Sequence, residues 1–159
     1  MLGAIIGDIC GSVYEWHNCK TTKPQILELI DPKWCYFTDD TVLTIATADA
    51  LLQEGNYAES YKNWGLRYDR AGYGGDFRHW MHSDSSVPYN SWGNGSAMRV
   101  SPVGWGFGTL EETLAEAKRS AAVSVVNDYR VSIGELPLLF PLRYRCTTGY
   151  GGSHFPQPR

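Results

Sequence analysis

The first 124 residues carry an apolar pattern with helical spacing. In residues 2–16, large apolar side chains recur every three or four positions and three glycines lie on an adjoining face, which predicts a helix. The apolar positions are Leu2, Ile5, Ile6, Ile9 and Val13, and the glycines are Gly3, Gly7 and Gly11. Each glycine costs a helix about 1 kcal/mol relative to alanine. Close approach of another helix, or of a ligand, would offset that cost.

A second helix is predicted from Thr38 to about Gly55, because threonine is a favourable N-cap and glycine a favourable helix end. Asp39 and Asp40 occupy its first turn, where carboxylates favour the positive end of the helix dipole. A third helix is predicted over residues 57–68. No segment has the sustained alternation of a strand, so the predicted fold class is all-α.

Residues 70–95 are rich in glycine, serine, proline and tyrosine, which predicts a long functional loop. Another helix is expected to begin near Ser96. Thr109 and Glu112 have the spacing of a capping box, which predicts a helix that runs to about Ser124. The long loop is therefore expected to separate two helical regions.

The composition is that of an ordinary globular protein: 43% of residues are apolar, 19% are charged and the net charge is −3. The basic residues are spread along the chain, which excludes nucleic acid and anionic membrane surfaces as expected partners. Asp8 interrupts the apolar N-terminal run, so neither a signal peptide nor a membrane span is predicted. The four cysteines form no metal-binding spacing and are expected to be reduced thiols in a cytoplasmic protein.

A change of composition at residue 125 predicts two regions, a domain over residues 1–124 and a divergent tail over residues 125–159. The tail has four arginines, four prolines and no lysine, and it carries +2, whereas residues 1–124 carry −5. Pro137 and Pro141 interrupt its apolar stretch, which rules out an ordinary helix there. The tail is therefore expected to be irregular or disordered.

Residues 37–41 (FTDDT) place two adjacent carboxylates, Asp39 and Asp40, between two hydroxyl groups at a predicted helix start. Such a cluster suits Mg²⁺, which takes oxygen ligands in near-octahedral geometry and keeps several waters. Carboxylates this close repel each other unless a cation or a proton intervenes. The alternative is plain N-capping, in which aspartate and threonine are common.

Asp8 and Glu15 form a second candidate pair on the first predicted helix. Seven residues are almost two turns, so both carboxylates share a face with Gly11 and Ser12 between them. A carboxylate beside a glycine-lined surface could act as a general base on a closely approaching substrate. A solvated helix face is the alternative.

The third candidate is residues 92–99 (WGNGSAMR), in which a glycine-rich turn leads into a predicted helix start. Free backbone N–H groups there, together with Ser96 and Arg99, would suit a phosphate. The pattern matches neither the Walker A loop nor GxGxxG, and most such turns bind nothing. Taken alone, it predicts little.

Taken together, three segments in this order and at these intervals resemble the ADP-ribosylglycohydrolase family: residues 3–15 (GAIIGDICGSVYE), 37–41 (FTDDT) and 93–104 (GNGSAMRVSPVG). Residues 71–77 (AGYGGDF) and 88–92 (PYNSW) resemble its bacterial members. The resemblance implies an all-α fold that binds two Mg²⁺ ions. It also implies a hydrolase that removes ADP-ribose from protein side chains or small acceptors.

The resemblance also implies roles for individual residues. Thr38, Asp39 and Asp40 would be metal ligands, and Glu15 would act on the attacking water or the ribose. The residues that would shape the diphosphate and ribose pocket are Gly93, Asn94, Gly95, Ser96, Met98 and Arg99.

Two departures from the family pattern fall at the end of the chain. Family members follow the alanine-rich helix with a Thr/Ser-His-x-His-Pro type of turn, whereas here Ser124 is followed by Val-Val-Asn-Asp. The family's later Asp-rich segment, which completes both metal sites, has no counterpart in the tail. We therefore expect a truncated domain, which a frameshift soon after Ser124 would explain. The expected function is that of a fragment of such a hydrolase, active or inactive by itself, with a non-catalytic ADP-ribose-binding remnant as the alternative.

Overall fold

The computed structural model describes residues 1–16 and 34–125 of the 159-residue chain. Within these two ranges it contains seven helices and no strand, which confirms the all-α prediction. The helices are α1 (Leu2–Trp16), α2 (Asp39–Leu52), α3 (Tyr57–Arg67), α4 (Gly75–Met81), α5 (Gly95–Met98), α6 (Val103–Gly106) and α7 (Leu110–Ala121). The prediction of an irregular tail falls almost wholly on residues 126–159, outside the described residues.

The central helix α2 begins and ends with the signals that its sequence carries. Thr38 is the N-cap, and its Oγ1 atom accepts a hydrogen bond from the Asp40 N–H at 3.3 Å. After the last helical residue the chain turns through Glu54, whose φ of 50° lies in the left-handed region. The Gly55 N–H then donates to the Ala50 carbonyl at 2.8 Å and closes the helix.

The main core forms where α3 packs against α2 and α4 packs against α3. Its buried side chains are Val42, Leu43, Ala46, Ala50, Tyr57, Ala58, Tyr61, Tyr73, Phe77, Trp80 and Met81. Burial of a large apolar side chain contributes roughly 1.5–3 kcal/mol, so the aromatic residues dominate this core. Gly65 allows α3 to approach α4 closely, because a Cβ atom there would lie 2.9 Å from Met81 Sδ.

The predicted long loop over residues 70–95 is wrong in part, because it contains α4. Phe77, Trp80 and Met81 are buried, and their i, i+3, i+4 spacing is helical. The Trp80 Nε1 atom donates to the Val87 carbonyl at 3.0 Å, which fixes the segment after the helix. The helix expected near Ser96 is only the four-residue α5, and the short α6 was not predicted.

The capping box of α7 is confirmed. Thr109 Oγ1 accepts from the Glu112 N–H at 3.2 Å, and Glu112 Oε2 accepts from the Thr109 N–H at 3.3 Å. The Tyr57 hydroxyl donates to Glu116 Oε1 at 2.5 Å and joins α3 to α7. Burial, then this hydrogen bond, raises the pKa of Tyr57 above its usual range. The end of α7 is thereby held beside the core.

Candidate functional site

The carboxylate of Asp8 on α1 holds the start of α2. Its Oδ2 atom accepts from the backbone N–H groups of Thr38 at 2.8 Å and Thr41 at 3.2 Å, and from Thr41 Oγ1 at 2.6 Å. Its Oδ1 atom accepts from Thr38 Oγ1 at 2.6 Å. Four donors, three on Oδ2 and one on Oδ1, occupy most of the lone-pair sites of the carboxylate, which makes Asp8 a poor general base. Asp8 is therefore a capping group supplied by another helix, and not part of a solvated face.

The two carboxylates that follow the cap face two adjoining recesses. Asp40 lines a cleft beside α1, which we call the α1 cleft. We call residues 93–96 the glycine turn. Asp39 lines a smaller pocket beside this turn, which we call the turn pocket. Met98 borders both recesses, and Thr44 Oγ1 donates to its carbonyl at 3.4 Å. The acidic pair therefore lies where the α1 cleft and the turn pocket meet.

Burial raises the pKa of Asp39 and of Asp40 to about 6. The negative charges of neighbouring carboxylates add to this effect: Asp40, Glu15 and Asp8 raise the pKa of Asp39, whereas Asp8 and Glu15 raise that of Asp40. A folded-state pKa above the unfolded value means that the fold binds the proton more tightly. Ionising both groups as the pH rises through 6 therefore costs stability, and a cation beside them would offset that cost.

The α1 cleft has a volume of about 410 Å³ and runs between α1 and the first turns of α2. Gly7 and Gly11 form part of its wall, and no described atom lies within 4 Å of a Cβ atom built at either glycine. Glu15 is exposed and lines the same cleft as Asp40. Among the described residues, Gly7 and Gly11 therefore border the α1 cleft and not another helix.

The turn pocket has a volume of about 130 Å³, below the roughly 300 Å³ of a pocket for a drug-sized ligand. It therefore suits part of a nucleotide. The Gly93 N–H donates to Ser91 Oγ at 3.2 Å and is not open to a ligand. The following helix, Gly95–Met98, has four residues, so its dipole is much weaker than that of the helix expected there.

Arg99 is completely buried at the base of the turn pocket. Its Nη2 atom donates to Ser124 Oγ at 2.8 Å and to the Ser120 carbonyl at 3.3 Å, and its guanidinium carbon lies 4.2 Å from the Tyr61 ring centroid. Its Nε and Nη1 atoms have no hydrogen-bond partner among the described residues. A buried guanidinium without a carboxylate is costly, so an anion that reached these nitrogens would be stabilised.

The sequence-predicted residues fall into three groups. Asp40 and Glu15 line the α1 cleft. The turn pocket is lined by Asp39, Gly93, Asn94, Gly95, Met98 and Arg99. Ser96 and Thr38 are buried and line neither recess, and the Thr38 hydroxyl donates to Asp8. The sequence thus indicates lining residues of both recesses, but it does not indicate that the two recesses meet at Asp39 and Asp40.

Further residues of the turn pocket were not singled out from the sequence: Gly74, Gly75, Asp76, Phe77, Tyr89 and Ser91. A signal for them existed, because they belong to the two segments that resemble bacterial family members, residues 71–77 and 88–92. Burial raises the pKa of the Tyr89 hydroxyl. Hydrogen bonds with Ser91, Ser124 and Arg99 lower this pKa, but their effect is smaller than that of burial. Tyr89 therefore connects the pocket wall to Arg99.

The donor set at the acidic pair suits Mg²⁺, although it is small. In the described ranges no three His, Cys, Asp or Glu side chains converge closely enough to hold a metal ion by themselves. Mg²⁺ is commonly bound by one or two carboxylates together with waters and substrate oxygens. No salt bridge within residues 1–16 and 34–125 neutralises Asp39 or Asp40. Two partly buried carboxylates without a cationic partner therefore fit a hydrated divalent ion.

A sequence model of the family described as ADP-ribosylglycohydrolase matches residues 1–132. The match includes both described ranges, and with them the capped start of α2, the α1 cleft and the turn pocket. The chain belongs to the ADP-ribosylglycohydrolase family. The resemblance inferred from the three sequence segments is confirmed, and the glycohydrolase fold accounts for their meeting at one site.

The chain is also similar to the ADP-ribosylhydrolase ARH3 of Mus musculus, with 25% identity over 155 residues. The similarity covers 78% of this chain and 42% of that relative. The chain thus spans less than half the length of the curated relative. None of the described helices combines the length and apolar character that crossing a bilayer requires.

Proposed function

We propose that the chain serves hydrolysis of the glycosidic bond between ADP-ribose and a protein side chain or small acceptor, with Mg²⁺ as cofactor. Family membership supports the reaction class. The observation that carries the proposal is the position of Asp39 and Asp40, where the α1 cleft and the turn pocket meet. A substrate that extended across this junction would bring a ribose ring next to both carboxylates.

The turn pocket would take the diphosphate end of the substrate. Arg99 offers two guanidinium nitrogens that lack partners among the described residues, and Asn94 and Gly95 line the pocket beside them. Charge-assisted hydrogen bonds to phosphate oxygens are about twice as strong as neutral ones. Gly95 lies next to these nitrogens, because a Cβ atom built there would lie 3.4 Å from Arg99 Nη1, at the limit of ordinary van der Waals contact.

The acidic pair and the α1 cleft would take the reacting ribose. Asp39 and Asp40 would hold Mg²⁺ with Thr38 beside them, and bound Mg²⁺ would orient ribose hydroxyls. Glu15 lines the same cleft as Asp40, where it would accept the proton of the attacking water. Glycoside hydrolysis develops positive charge at the anomeric carbon, and the carboxylates of this cleft would stabilise that charge.

A second candidate function is binding of ADP-ribose without turnover. The observation that favours it is the small donor set, because the described residues provide no cluster of three acidic, histidine or cysteine ligands. Weak Mg²⁺ binding would remove much of the catalytic advantage but would leave the turn pocket and Arg99 in place. Release of ADP-ribose from a modified substrate distinguishes the two functions, because only the hydrolase produces it.

The magnesium assignment predicts that Asp39→Asn and Asp40→Asn each weaken Mg²⁺ binding by at least about tenfold, which corresponds to 1.4 kcal/mol. Each change removes one anionic oxygen ligand at nearly constant side-chain volume. The measurement is a calorimetric titration of the full chain with Mg²⁺ at neutral pH, alongside each variant.

Asp49→Asn is the matched control, because Asp49 lies on the same helix and lines neither recess. Its Oδ2 atom accepts from Trp64 Nε1 at 2.9 Å, a contact that the asparagine carbonyl can keep. The control should bind Mg²⁺ like the unchanged chain. Equal Mg²⁺ affinity in all three variants and the unchanged chain would remove Asp39 and Asp40 from the metal site.

A further inference from the structure

The turn that follows α7, residues 122–124, contacts the glycine turn on both of its flanks, and it does so through one residue. The Ser124 carbonyl accepts from the Ser91 N–H at 2.8 Å, on the N-terminal side of the turn. The Ser124 hydroxyl accepts from Arg99 Nη2 at 2.8 Å, on the C-terminal side. Ser91 Oγ in turn accepts from the Gly93 N–H, the first amide of the turn, at 3.2 Å. Ser124 therefore holds both ends of a segment whose middle lines the turn pocket.

The contacts of Ser124 are buried and specific. Ser124 is only 1% exposed, and Arg99 is not exposed at all. Besides Ser124 Oγ, the guanidinium of Arg99 contacts the Ser120 carbonyl at 3.3 Å, the Tyr61 ring and the Tyr89 hydroxyl. The bond to Ser124 Oγ is shorter than the bond to the Ser120 carbonyl and helps to fix the plane of the guanidinium. The direction of the remaining nitrogens therefore depends on the Ser124 hydroxyl.

We propose that Ser124 is a positioning residue for the turn pocket: through its hydroxyl it orients Arg99, and through its carbonyl it fixes the segment that enters the glycine turn. Ser124 does not itself line the pocket, whereas its partners Ser91 and Arg99 do. Its effect on substrate binding rests on the proposed function, whereas its effect on the geometry of the turn does not. A change at the end of α7 is thereby transmitted to the anion-binding side of the site.

The test begins with hydrogen–deuterium exchange on the full chain, which needs no ligand. Ser124→Ala keeps the carbonyl contact but removes the acceptor of Arg99, and it should speed amide exchange across residues 91–99 by about tenfold, the equivalent of 1.4 kcal/mol. Ser124→Thr keeps a hydroxyl group and should restore slow exchange.

Ser120→Ala is the matched control, because Ser120 lies four residues earlier in the last turn of α7 and is equally buried. The Ser120 hydroxyl donates to the Ala117 carbonyl at 2.9 Å, and Arg99 uses only the Ser120 backbone. This variant should leave exchange over residues 91–99 unchanged, whatever its effect on overall stability. Equal exchange in Ser124→Ala and Ser120→Ala, or no rescue by threonine, would overturn the positioning role.

A second measurement, the affinity for ADP-ribose, separates this inference from the proposed function. We expect Ser124→Ala to weaken ADP-ribose binding by about tenfold while Mg²⁺ affinity stays unchanged. Failure of the unchanged chain to bind ADP-ribose would contradict the proposed function, and the exchange result would still decide the role of Ser124. If Ser124→Ala speeds amide exchange but leaves the ADP-ribose affinity unaltered, the claim that Ser124 influences binding in the turn pocket is wrong.

Discussion

Asp8→Asn is expected to lower the free energy of unfolding by about 3 kcal/mol. The carboxylate accepts four hydrogen bonds from Thr38 and Thr41, and an asparagine carbonyl can accept only part of them. The NH₂ group of the asparagine would also face N–H or O–H donors of Thr38 or Thr41, which cannot accept a hydrogen bond from it in that orientation. Urea unfolding followed by tryptophan fluorescence measures the change, because the chain has six tryptophans.

Glu15→Gln is the informative comparison for this prediction. Both substitutions remove a negative charge that raises the pKa of Asp39 and Asp40, so both relieve repulsion within the acidic cluster. Only Asp8→Asn also removes hydrogen bonds that cap α2. We therefore expect Glu15→Gln to leave stability unchanged or slightly raised. If Asp8→Asn behaved in the same way, charge repulsion would outweigh hydrogen bonding here, and the capping role would be wrong.

The second large effect concerns catalysis. If the chain hydrolyses ADP-ribosyl substrates as proposed, Glu15→Gln should lower the rate by about 10²- to 10⁴-fold, the usual contribution of general acid–base catalysis. Glutamine keeps the size and hydrogen-bonding reach of glutamate but cannot accept a proton or stabilise positive charge. ADP-ribose affinity should stay close to that of the unchanged protein. Single-turnover hydrolysis, measured beside equilibrium binding, separates the two quantities.

Asp8→Asn serves as the control for the catalytic prediction as well. It removes a carboxylate from the same helix at nearly constant volume, and it should cost more stability and less activity than Glu15→Gln. The assignment fails if Glu15→Gln turns over at nearly the unchanged rate, because Glu15 would then be a solvated residue of α1. Equal losses of rate in both variants would indicate that the acidic cluster acts through its total charge.

The helices that the sequence predicts well either carry their own end signals or, like α1, have an apolar pattern that extends over several turns. Thr38 caps α2, and Thr109 forms a reciprocal box with Glu112, because these contacts span only two or three residues. The short helix α4 lacks such signals. It has no side-chain cap and follows two glycines, and its buried positions extend over barely two turns. A periodic pattern this short is not distinguishable from a loop in the sequence.

The site was less predictable because its decisive contacts join distant positions. Asp8 and Thr38 are 30 residues apart, and Arg99 and Ser124 are 25 apart. A single polar side chain gives no sequence signal of which remote donor it will meet. The sequence did indicate which segments carry chemistry, since residues 37–41 and 93–99 both contribute side chains to the lining of the two recesses. It did not indicate that Asp8 of α1 caps the start of α2. This contact fixes the first turn of α2 and thereby the positions of Asp39 and Asp40.

The most direct test of the account is a calorimetric titration of the full chain with ADP-ribose, once with Mg²⁺ and once with a chelator. The account predicts saturable one-to-one binding that Mg²⁺ strengthens by at least about tenfold, because the diphosphate would enter the turn pocket while the ribose meets the ion beside Asp39 and Asp40. Absence of saturable binding under both conditions, at protein concentrations where the chain remains folded, would contradict it.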